Sequence, residues 1–258
     1  MLLKACLNGA RKPGDHPALP LTPAELAADA VAAARAGAGA VHVHPRDETG
    51  RESLLAGDVG AAVAAIRAAR PGLPVGVTTG LWITEGDPER RLDEVRGWAH
   101  LPPPGRPDFA SVNLGEPGFA ELATVLRAAG VAVEAGVWTV DDAETLGAAG
   151  LPGSAGSAGP LLRVLVEVMD APAADAPAYA ERVLARLDDL GTEAPHLLHG
   201  EDEAAWPVLD LAASLGLATR IGLEDVLVGP DGSPVSGNSE LVALARARLT
   251  GDGGDRPG

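Results

Sequence analysis

Short apolar segments and longer amphipathic segments alternate along this chain, and that alternation constrains its fold more than any other feature. The apolar segments are rich in Val, Ala and Leu and have the length of strands, whereas the segments between them carry apolar residues at helical spacing. The predicted strands are residues 2–8, 40–44, 74–79, 109–113, 131–137, 162–168, 196–199 and 219–223. The first predicted helix starts at Thr22 and Pro23 and ends at Gly37; the others are residues 56–70, 88–99, 119–129, 141–149, 177–190, 203–215 and 239–249.

Strands this apolar cannot lie half in solvent, so the alternation predicts a parallel sheet covered by helices. Eight strand–helix units in about 250 residues match the size of a closed (β/α)8 TIM barrel, and we predict one such α/β domain over residues 1–250. An open doubly wound sheet is the alternative, but the Gly-x-Gly-x-x-Gly fingerprint is missing after the first strand. We expect residues 151–160 to form a mobile loop and residues 251–258 a disordered tail.

Charge and cysteine content restrict the partners. The 258 residues include 36 Asp and Glu against 20 Lys and Arg, a formal net charge of −16. This argues against binding to nucleic acid or to an anionic membrane, because both need a basic face. The single cysteine, Cys6, excludes an intrachain disulfide and suits a reducing cytoplasm. We find no signal peptide and no apolar run of about 18 residues, so a cytoplasmic protein is expected.

Two histidines lie on the second predicted strand, in the sequence His42-Val43-His44. Side chains at i and i+2 of a strand share one face, so the two imidazoles project together from Cα atoms about 6.6 Å apart. Two neutral imidazoles side by side form half of a chelating site for zinc or a similar divalent ion. The alternative is an ordinary hydrogen-bonded pair of histidines, and a metal site needs a third ligand.

The carboxyl ends of the other strands are where a barrel carries its reactive groups, so the third ligand is expected there. Along the eighth strand, Arg220, Gly222 and Glu224 are expected on one face because side chains alternate with a period of two. That strand closes against the first, which neighbours the second, so Glu224 is predicted to reach an ion held by His42 and His44. Two histidines and one carboxylate leave open positions, which is typical of a catalytic metal site able to stabilise an enolate.

Other polar residues near strand ends suggest acid–base and substrate-binding roles. Asp225 follows the end of the eighth strand, where alternation relaxes, and is a candidate general base; its pairing with Arg220 is equally consistent with an ion pair at the barrel rim. Glu134 and His199 are candidate additional ligands or supports of the ligands. The small polar residues that end strands three and four are Thr78, Thr79, Ser111 and Asn113. They can orient a substrate, although each alone is more often a structural hydrogen-bonding group.

These residues, in this order, resemble the β-keto acid cleavage enzymes, a family that includes the 3-keto-5-aminohexanoate cleavage enzyme. The resemblance extends over nearly the whole chain, which makes it more specific than any single motif. It rests on Asn8-Gly9-Ala10, Pro17-Ala18-Leu19-Pro20-Leu21-Thr22-Pro23 with Glu25, Gly37-Ala38, His42-Val43-His44 with Arg46-Asp47, Thr78-Thr79-Gly80, Ser111-Val112-Asn113, Arg220-Ile221-Gly222-Leu223-Glu224-Asp225 and Asn238.

The resemblance implies a (β/α)8 barrel, a zinc ion and a homo-oligomer, a tetramer or a dimer. It implies that His42, His44 and Glu224 are the zinc ligands, that Asp225 is the general base, and that Arg220 positions this base. The hydroxyl positions that match substrate contacts are Thr78 and Ser111. The implied reaction condenses a β-keto acid with acetyl-CoA and cleaves the product in a retro-Claisen step, which yields acetoacetate and a new acyl-CoA.

One position departs from the family pattern. In the aminohexanoate-cleaving member, an acidic residue suited to a substrate amine follows the first Gly-Ala pair, whereas this chain has Arg11 there. We therefore expect Arg11 to contact a neutral or acidic β-keto acid. The sixth strand, residues 163–168, matches the family poorly, so no CoA-binding residue is assigned.

Two other functions remain open. The first is a metal-dependent hydrolase or lyase on the same barrel, although amidohydrolases carry His-x-His on the first strand and barrel aldolases carry such a pair late in the chain. The second is a barrel that binds metal without turnover. The presence of both Arg220 and Asp225 favours an enzyme over this second alternative.

Overall fold

A computed structural model describes residues 1–148 and 161–250, and within them eight strands alternate with eight helices. The strands are β1 (Leu3–Cys6), β2 (Ala40–Val43), β3 (Val75–Val77), β4 (Phe109–Asn113), β5 (Ala132–Val137), β6 (Arg163–Val168), β7 (His196–Gly200) and β8 (Thr219–Ile221). The helices are α1 (Pro23–Ala36), α2 (Ala56–Ala69), α3 (Pro88–Arg96), α4 (Phe119–Ala128), α5 (Val140–Ala148), α6 (Ala176–Asp189), α7 (Ala205–Leu215) and α8 (Asn238–Thr250). Short 3-10 helices in the connections are Leu81–Thr84, Gly97–His100, Pro103–Gly105 and Asp202–Ala204.

The loop expected at 151–160 and the tail expected at 251–258 lie outside the described residues. None of the described helices is both long and apolar enough to cross a membrane.

All neighbouring strands pair in parallel, in the order β7-β6-β5-β4-β3-β2-β1-β8. The ends of this sheet also meet, because Leu197 of β7 forms a parallel bridge with Ala218, and the Leu198 amide donates to the Ala218 carbonyl oxygen at 2.9 Å. The sheet is therefore a nearly closed barrel, and the helices that alternate with its strands make it a (β/α)8 TIM barrel. The predicted fold class is confirmed, and the open doubly wound alternative is wrong.

Helix α1 shows how local sequence sets an element of this barrel. The Thr22 hydroxyl accepts a hydrogen bond from the Glu25 amide at 3.3 Å, and the Glu25 carboxylate accepts one from the Thr22 amide at 2.9 Å. This is the predicted capping box. Gly37 ends the helix with a φ of +116°, a left-handed conformation that favours glycine. The chain then runs directly into β2, which carries the histidine pair.

A charged cluster lies buried among the inward-facing residues of the barrel. Nζ of Lys4, in β1, lies 2.7 Å from Oε2 of Glu134, in β5, and both side chains are fully buried. Nε of Arg163 lies 3.1 Å from the other Glu134 oxygen. The Lys4 and Arg163 cations each lie 5.5 Å from the centre of the Phe109 ring. Glu134 is thus held by two cations, and it is not part of the group of candidate metal ligands described below.

Candidate active site

Two histidines and one carboxylate meet at the carboxyl ends of β2 and β8. His42 lies in β2 and His44 follows that strand directly, and both side chains are almost fully buried. Oε2 of Glu224 lies 3.9 Å from Nε2 of His42 and 3.7 Å from Nε2 of His44. One ligand atom from each of the three residues falls within 4.8 Å of the other two. The structure therefore brings together the three residues that were predicted as metal ligands.

This group is chemically suited to a divalent metal ion. Burial, and then the charges of His44 and Lys4, lower the pKa of His42 well below its usual range, so this imidazole is neutral and can act as a ligand. Oε2 of Glu224 is buried and has no hydrogen-bond partner among the described residues. Such an atom is costly to bury, and a cation held between this carboxylate and the two imidazoles offsets that cost. No second group of this kind occurs at residues 1–148 and 161–250.

Glu52 fixes the orientation of the His44 ring. Its Oε1 lies 2.5 Å from Nδ1 of His44, and its Oε2 accepts a hydrogen bond from the Trp82 indole at 3.0 Å. The Trp82 ring stacks on His44, with 6.2 Å between ring centres and 25° between planes. A carboxylate on the far nitrogen of a ligating histidine sets its tautomer and raises its basicity. Sequence analysis missed Glu52, whose position depends on a short antiparallel bridge to Arg46 in the loop after β2.

The end of β8 differs from the expected strand. β8 ends at Ile221, two residues earlier than predicted, because the amides of Asp225 and Val226 both donate to the Gly222 carbonyl oxygen, at 2.9 and 3.0 Å. This turn directly follows a close approach to β1, where a Cβ on Gly222 would lie 1.9 Å from the carbonyl oxygen of Cys6. Residues 222–224 therefore lie in a turn and not in the predicted strand, although Arg220 and Glu224 both line the same cavity, as the alternation predicted.

Contacts from β1 and α8 place Glu224 beside the histidines. Asn238, at the start of α8, accepts a hydrogen bond from the Leu223 amide at 2.7 Å and donates one to the Leu7 carbonyl oxygen at 2.8 Å. Gly9 packs directly against Glu224, since a Cβ there would lie 2.4 Å from Cγ of Glu224, and its φ is +54°. Asn238 therefore fastens the turn to the barrel, and Gly9 leaves the space that the Glu224 side chain fills.

Arg220 connects the candidate metal ligands with the candidate base. Its Nη2 lies 2.8 Å from Oδ1 of Asp225 and 3.0 Å from Oε1 of Glu224, and its Nε donates to the same Asp225 oxygen at 3.1 Å. Its Nη1 lies 3.6 Å from Oε2 of Glu167. Asp225 is fully buried, and its Oδ2 has no hydrogen-bond partner among the described residues. One guanidinium thus holds three carboxylates, and it leaves one oxygen of Asp225 unused.

His199 and Glu167 support this arrangement from β7 and β6. Nε2 of His199 lies 2.9 Å from Oε2 of Glu167, and its Nδ1 lies 3.7 Å from Oδ1 of Asp225. The Trp138 indole donates to the other Glu167 oxygen at 3.0 Å. Burial alone would raise the pKa of Glu167, but the His199 hydrogen bond and the Arg220 charge outweigh it and lower the pKa to about 2. Glu167 is therefore anionic, and His199 packs beside the base instead of joining the ligand group.

The candidate ligands open onto a cavity of about 420 Å³ at the top of the barrel. The predicted substrate-binding residues that line it are Arg11, Thr78, Ser111 and Asn113. Thr79 does not line it, because this side chain is buried and donates to the Ser111 carbonyl oxygen at 2.6 Å. Arg11 is held at the mouth by the Asp202 carboxylate, 2.8 Å away, and by the Leu223 carbonyl oxygen at 3.2 Å.

Several lining residues were not assigned a role from the sequence: Trp82, Trp138, Glu167, Met169 and Glu201. All except Glu167 lie just beyond the ends of strands or in the loops that follow, where strand periodicity no longer says which way a side chain points. Burial, and then the negative charges of Asp225 and Asp202, raise the pKa of Glu201 to about 7. The cavity therefore contains a carboxyl group, that of Glu201, whose pKa lies near neutral pH.

Comparisons with known proteins agree on the fold. The family model described as beta-keto acid cleavage enzyme matches residues 1–254. The complex of ObcA with oxaloacetate has a TM-score of 0.70 and 18% identity, over 92% of this chain and 64% of that one. The ternary complex of ObcA with a C4-CoA adduct and oxalate has a TM-score of 0.69 and 20% identity, over 92% of this chain and 65% of that one. The 3-dehydroquinate dehydratase from Geobacillus kaustophilus HTA426 has a TM-score of 0.59 and 12% identity, over 96% of this chain and 90% of that one. This chain spans about 64% of the length of ObcA, and at these identities the structural likenesses show the barrel fold alone.

Proposed function

The chain belongs to the β-keto acid cleavage enzyme family, and we propose that it cleaves a β-keto acid with a divalent metal ion and acetyl-CoA as co-substrate. The observation that carries this proposal is the junction of ligand group and base, where Arg220 contacts both Glu224 and the adjacent Asp225. A metal site and a buried base held by one guanidinium are suited to removing a proton next to a carbonyl group.

His42, His44 and Glu224 would hold the ion, which we propose to be zinc. Two imidazoles and one carboxylate with open positions are typical of catalytic zinc sites. When bound, zinc supplies Lewis acidity at the keto oxygen of the substrate, which favours loss of the neighbouring proton.

Asp225 takes the proton from the carbon between the keto and carboxylate groups. Arg220 fixes Oδ1 of this carboxylate and leaves Oδ2 without a partner among the described residues, so Oδ2 is the atom that accepts the proton. Asp225 lies behind Arg220 and Glu224, which line the cavity while Asp225 does not. Substrate contact therefore requires one of these two side chains to shift, a rearrangement common between free and substrate-bound active sites.

Loss of this proton leaves a carbanion on the substrate, and the remaining steps follow from it. It attacks the acetyl carbon of acetyl-CoA and expels the CoA thiolate, which forms one carbon–carbon bond. The thiolate then attacks the original keto carbon, the bond between that carbon and the acidic carbon breaks, and the departing acetoacetate carbanion recovers the proton from Asp225. The products are acetoacetate and a new acyl-CoA. Thr78 and Ser111 line the cavity and are suited to orienting the two carbonyl compounds.

The positive charge of Arg11 favours a substrate that carries no amine. Its guanidinium lies at the cavity mouth together with Lys12, and burial is outweighed by the Asp202 carboxylate, so the pKa of Arg11 is raised and the group stays cationic. A permanent cation repels an ammonium group and attracts a carboxylate. We propose a neutral or acidic side chain on the β-keto acid.

A turnover screen tests this function. Metal-loaded protein is incubated with acetyl-CoA and a panel of acidic, neutral and aminated β-keto acids, and acetoacetate and acyl-CoA are measured by mass spectrometry. We expect products that require acetyl-CoA and that disappear in the Asp225→Asn variant. No product from any acid, with one metal ion bound per chain, would refute the proposed reaction, and faster turnover of aminated acids would refute the role of Arg11.

The family resemblance also supports a homo-oligomer, which we propose to be a tetramer or a dimer. Size-exclusion chromatography with light scattering measures the mass of the assembly directly. A mass equal to one chain at micromolar concentration would contradict this part of the proposal.

A further inference from the structure

A second groove lies beside the candidate active site, on the barrel rim formed by the loops after β1, β2 and β3. Its volume is about 530 Å³, and it shares Ala10, Arg11, Lys12 and Trp82 with the catalytic cavity, so the two spaces lie side by side. We call it the rim groove and define it by Lys12, Arg46, Arg51, Leu55, Trp82 and Arg90.

Two cations in the rim groove lack a carboxylate partner. Lys12 is exposed and forms no ion pair within the described parts of the chain. Arg46 is only 8% exposed, yet its guanidinium donates to carbonyl oxygens alone, those of Gly9, Gly50 and Arg11, at 2.7 to 2.9 Å. Its Nε is buried and has no partner among the same residues. The carboxylates of Glu52 and Asp15 act on this guanidinium but form no ion pair with it, so its unused donor and its positive charge would stabilise an anion.

None of the carboxylates that line the groove forms an ion pair with Lys12 or Arg46. Two of its carboxylates, Asp47 and Glu94, pair with Arg51 and Arg90, and Glu52 is engaged by His44. The remaining acidic residue that lines the groove is Glu85. The arginine side chains of these two pairs are exposed, so the pairs contribute little free energy and Arg51 and Arg90 can turn toward an anionic ligand.

The opposite rim has the reverse charge. There a cavity of about 250 Å³, next to β6 and β7, is lined by four carboxylates and no cation: Asp170, Glu201, Asp202 and Glu203. In a chain with a net charge of −16, phosphate groups are repelled by most of the surface. The rim groove lies beside the catalytic cavity and offers a polyanion the cations Lys12, Arg46, Arg51 and Arg90.

We propose that the rim groove binds the nucleotide end of the CoA co-substrate, with Lys12 and Arg46 at its phosphates; this inference rests on the proposed function. CoA carries its thiol at one end of a long pantetheine arm and its diphosphate and 3′-phosphate at the other. With the thioester beside Asp225, the phosphates must lie outside the catalytic cavity, in a space next to it. Trp82 is 44% exposed at the junction, and Leu55 is exposed further along, so both offer apolar contact to the arm.

Calorimetric titration with CoA tests this site. We compare the native sequence with the Lys12→Glu and Arg51→Glu variants, and with Arg182→Glu as a matched control, because Arg182 is an arginine on α6 that lines neither space. We expect Lys12→Glu to weaken CoA binding at least tenfold, Arg51→Glu to weaken it less, and Arg182→Glu to leave it unchanged. Raising the salt concentration should narrow these differences.

The outcomes separate this inference from the proposed function. Equal CoA affinity in all four proteins would overturn the rim groove as the nucleotide site and leave the proposed reaction intact. If the native protein bound no CoA but turned over a short acetyl thioester that lacks the nucleotide, the inference would also be wrong and the reaction class would stand. No CoA binding together with no thioester turnover would overturn both.

Discussion

Replacing Glu52 with glutamine removes one charge from behind a candidate metal ligand without changing the shape of the side chain. Glu52 contacts Nδ1 of His44 at 2.5 Å, on the side of the ring opposite the atom that faces Glu224. We expect Glu52→Gln to weaken zinc binding, because glutamine neither raises the basicity of His44 nor adds negative charge near the ion.

The size of the effect follows from the geometry. A zinc ion about 2.1 Å from Nε2 of His44 would lie about 6.5 Å from the Glu52 carboxylate. At that distance a divalent ion and a carboxylate interact by about 1.3 kcal/mol in water and by about 5 kcal/mol at an effective dielectric constant of ~20. Loss of such a supporting carboxylate typically weakens metal binding by about 10- to 100-fold, or about 1.4 to 2.7 kcal/mol, which falls between these limits.

Competition with a chromophoric chelator measures the zinc affinity of the native sequence and of Glu52→Gln. The matched control is Glu48→Gln, an exposed glutamate on the same loop, and circular dichroism verifies that both variants fold. We expect Glu48→Gln to bind zinc as the native sequence does. If the affinity of Glu52→Gln also stayed within twofold of the native value, the role given to Glu52 would be wrong.

Three further substitutions test the packing around the site. Burial raises the pKa of Asp29 to about 6, so folding favours its protonated form and the free energy of unfolding should fall as pH rises from about 4 to 6. Asp29→Asn should therefore stabilise the protein at pH 7 by up to roughly 3 kcal/mol, but not at pH 4, as judged by urea unfolding; equal stabilities at pH 7 would contradict this. Lys4→Met removes one partner of a fully buried ion pair with Glu134 and should lower the free energy of unfolding by about 3 kcal/mol; a loss below 1 kcal/mol would show that Arg163 satisfies the carboxylate alone. Arg220→Lys keeps the charge, but a lysine cannot hold three carboxylates at once. We therefore expect kcat to fall at least tenfold with little change in melting temperature. An unchanged kcat would show that Arg220 does not position Asp225.

The barrel could be predicted because its signal is repeated. Each strand is short and apolar, each following segment has helical spacing, and the pattern recurs eight times, so an error of two residues at one boundary does not change the fold. The histidine pair followed from the same periodicity, since His42 and His44 alternate with Val41 and Val43 along β2. Their assignment as metal ligands, together with Glu224, stays a prediction that metal binding must test.

Features that depend on turns could not be predicted in the same way. The sequence from Ile221 to Leu223 continues to look like a strand, and only the hydrogen bonds to the Gly222 carbonyl oxygen show where β8 ends. Glu52 lies eight residues beyond His44 in a loop without periodicity, and Trp82 reaches it from a different loop. Such contacts arise from how loops close over the barrel, which local residue patterns do not specify.

The most direct test of the proposed chemistry is hydrogen exchange at the carbon that Asp225 should deprotonate. Metal-loaded protein and a β-keto acid are mixed in D2O without acetyl-CoA, and loss of the proton signal of that carbon is followed by NMR. We predict exchange well above the uncatalysed rate, its loss in Asp225→Asn, and its retention in Glu201→Gln, which changes the cavity carboxyl group whose pKa is raised to about 7. Exchange that survived in Asp225→Asn and vanished in Glu201→Gln would contradict the account and identify Glu201 as the base.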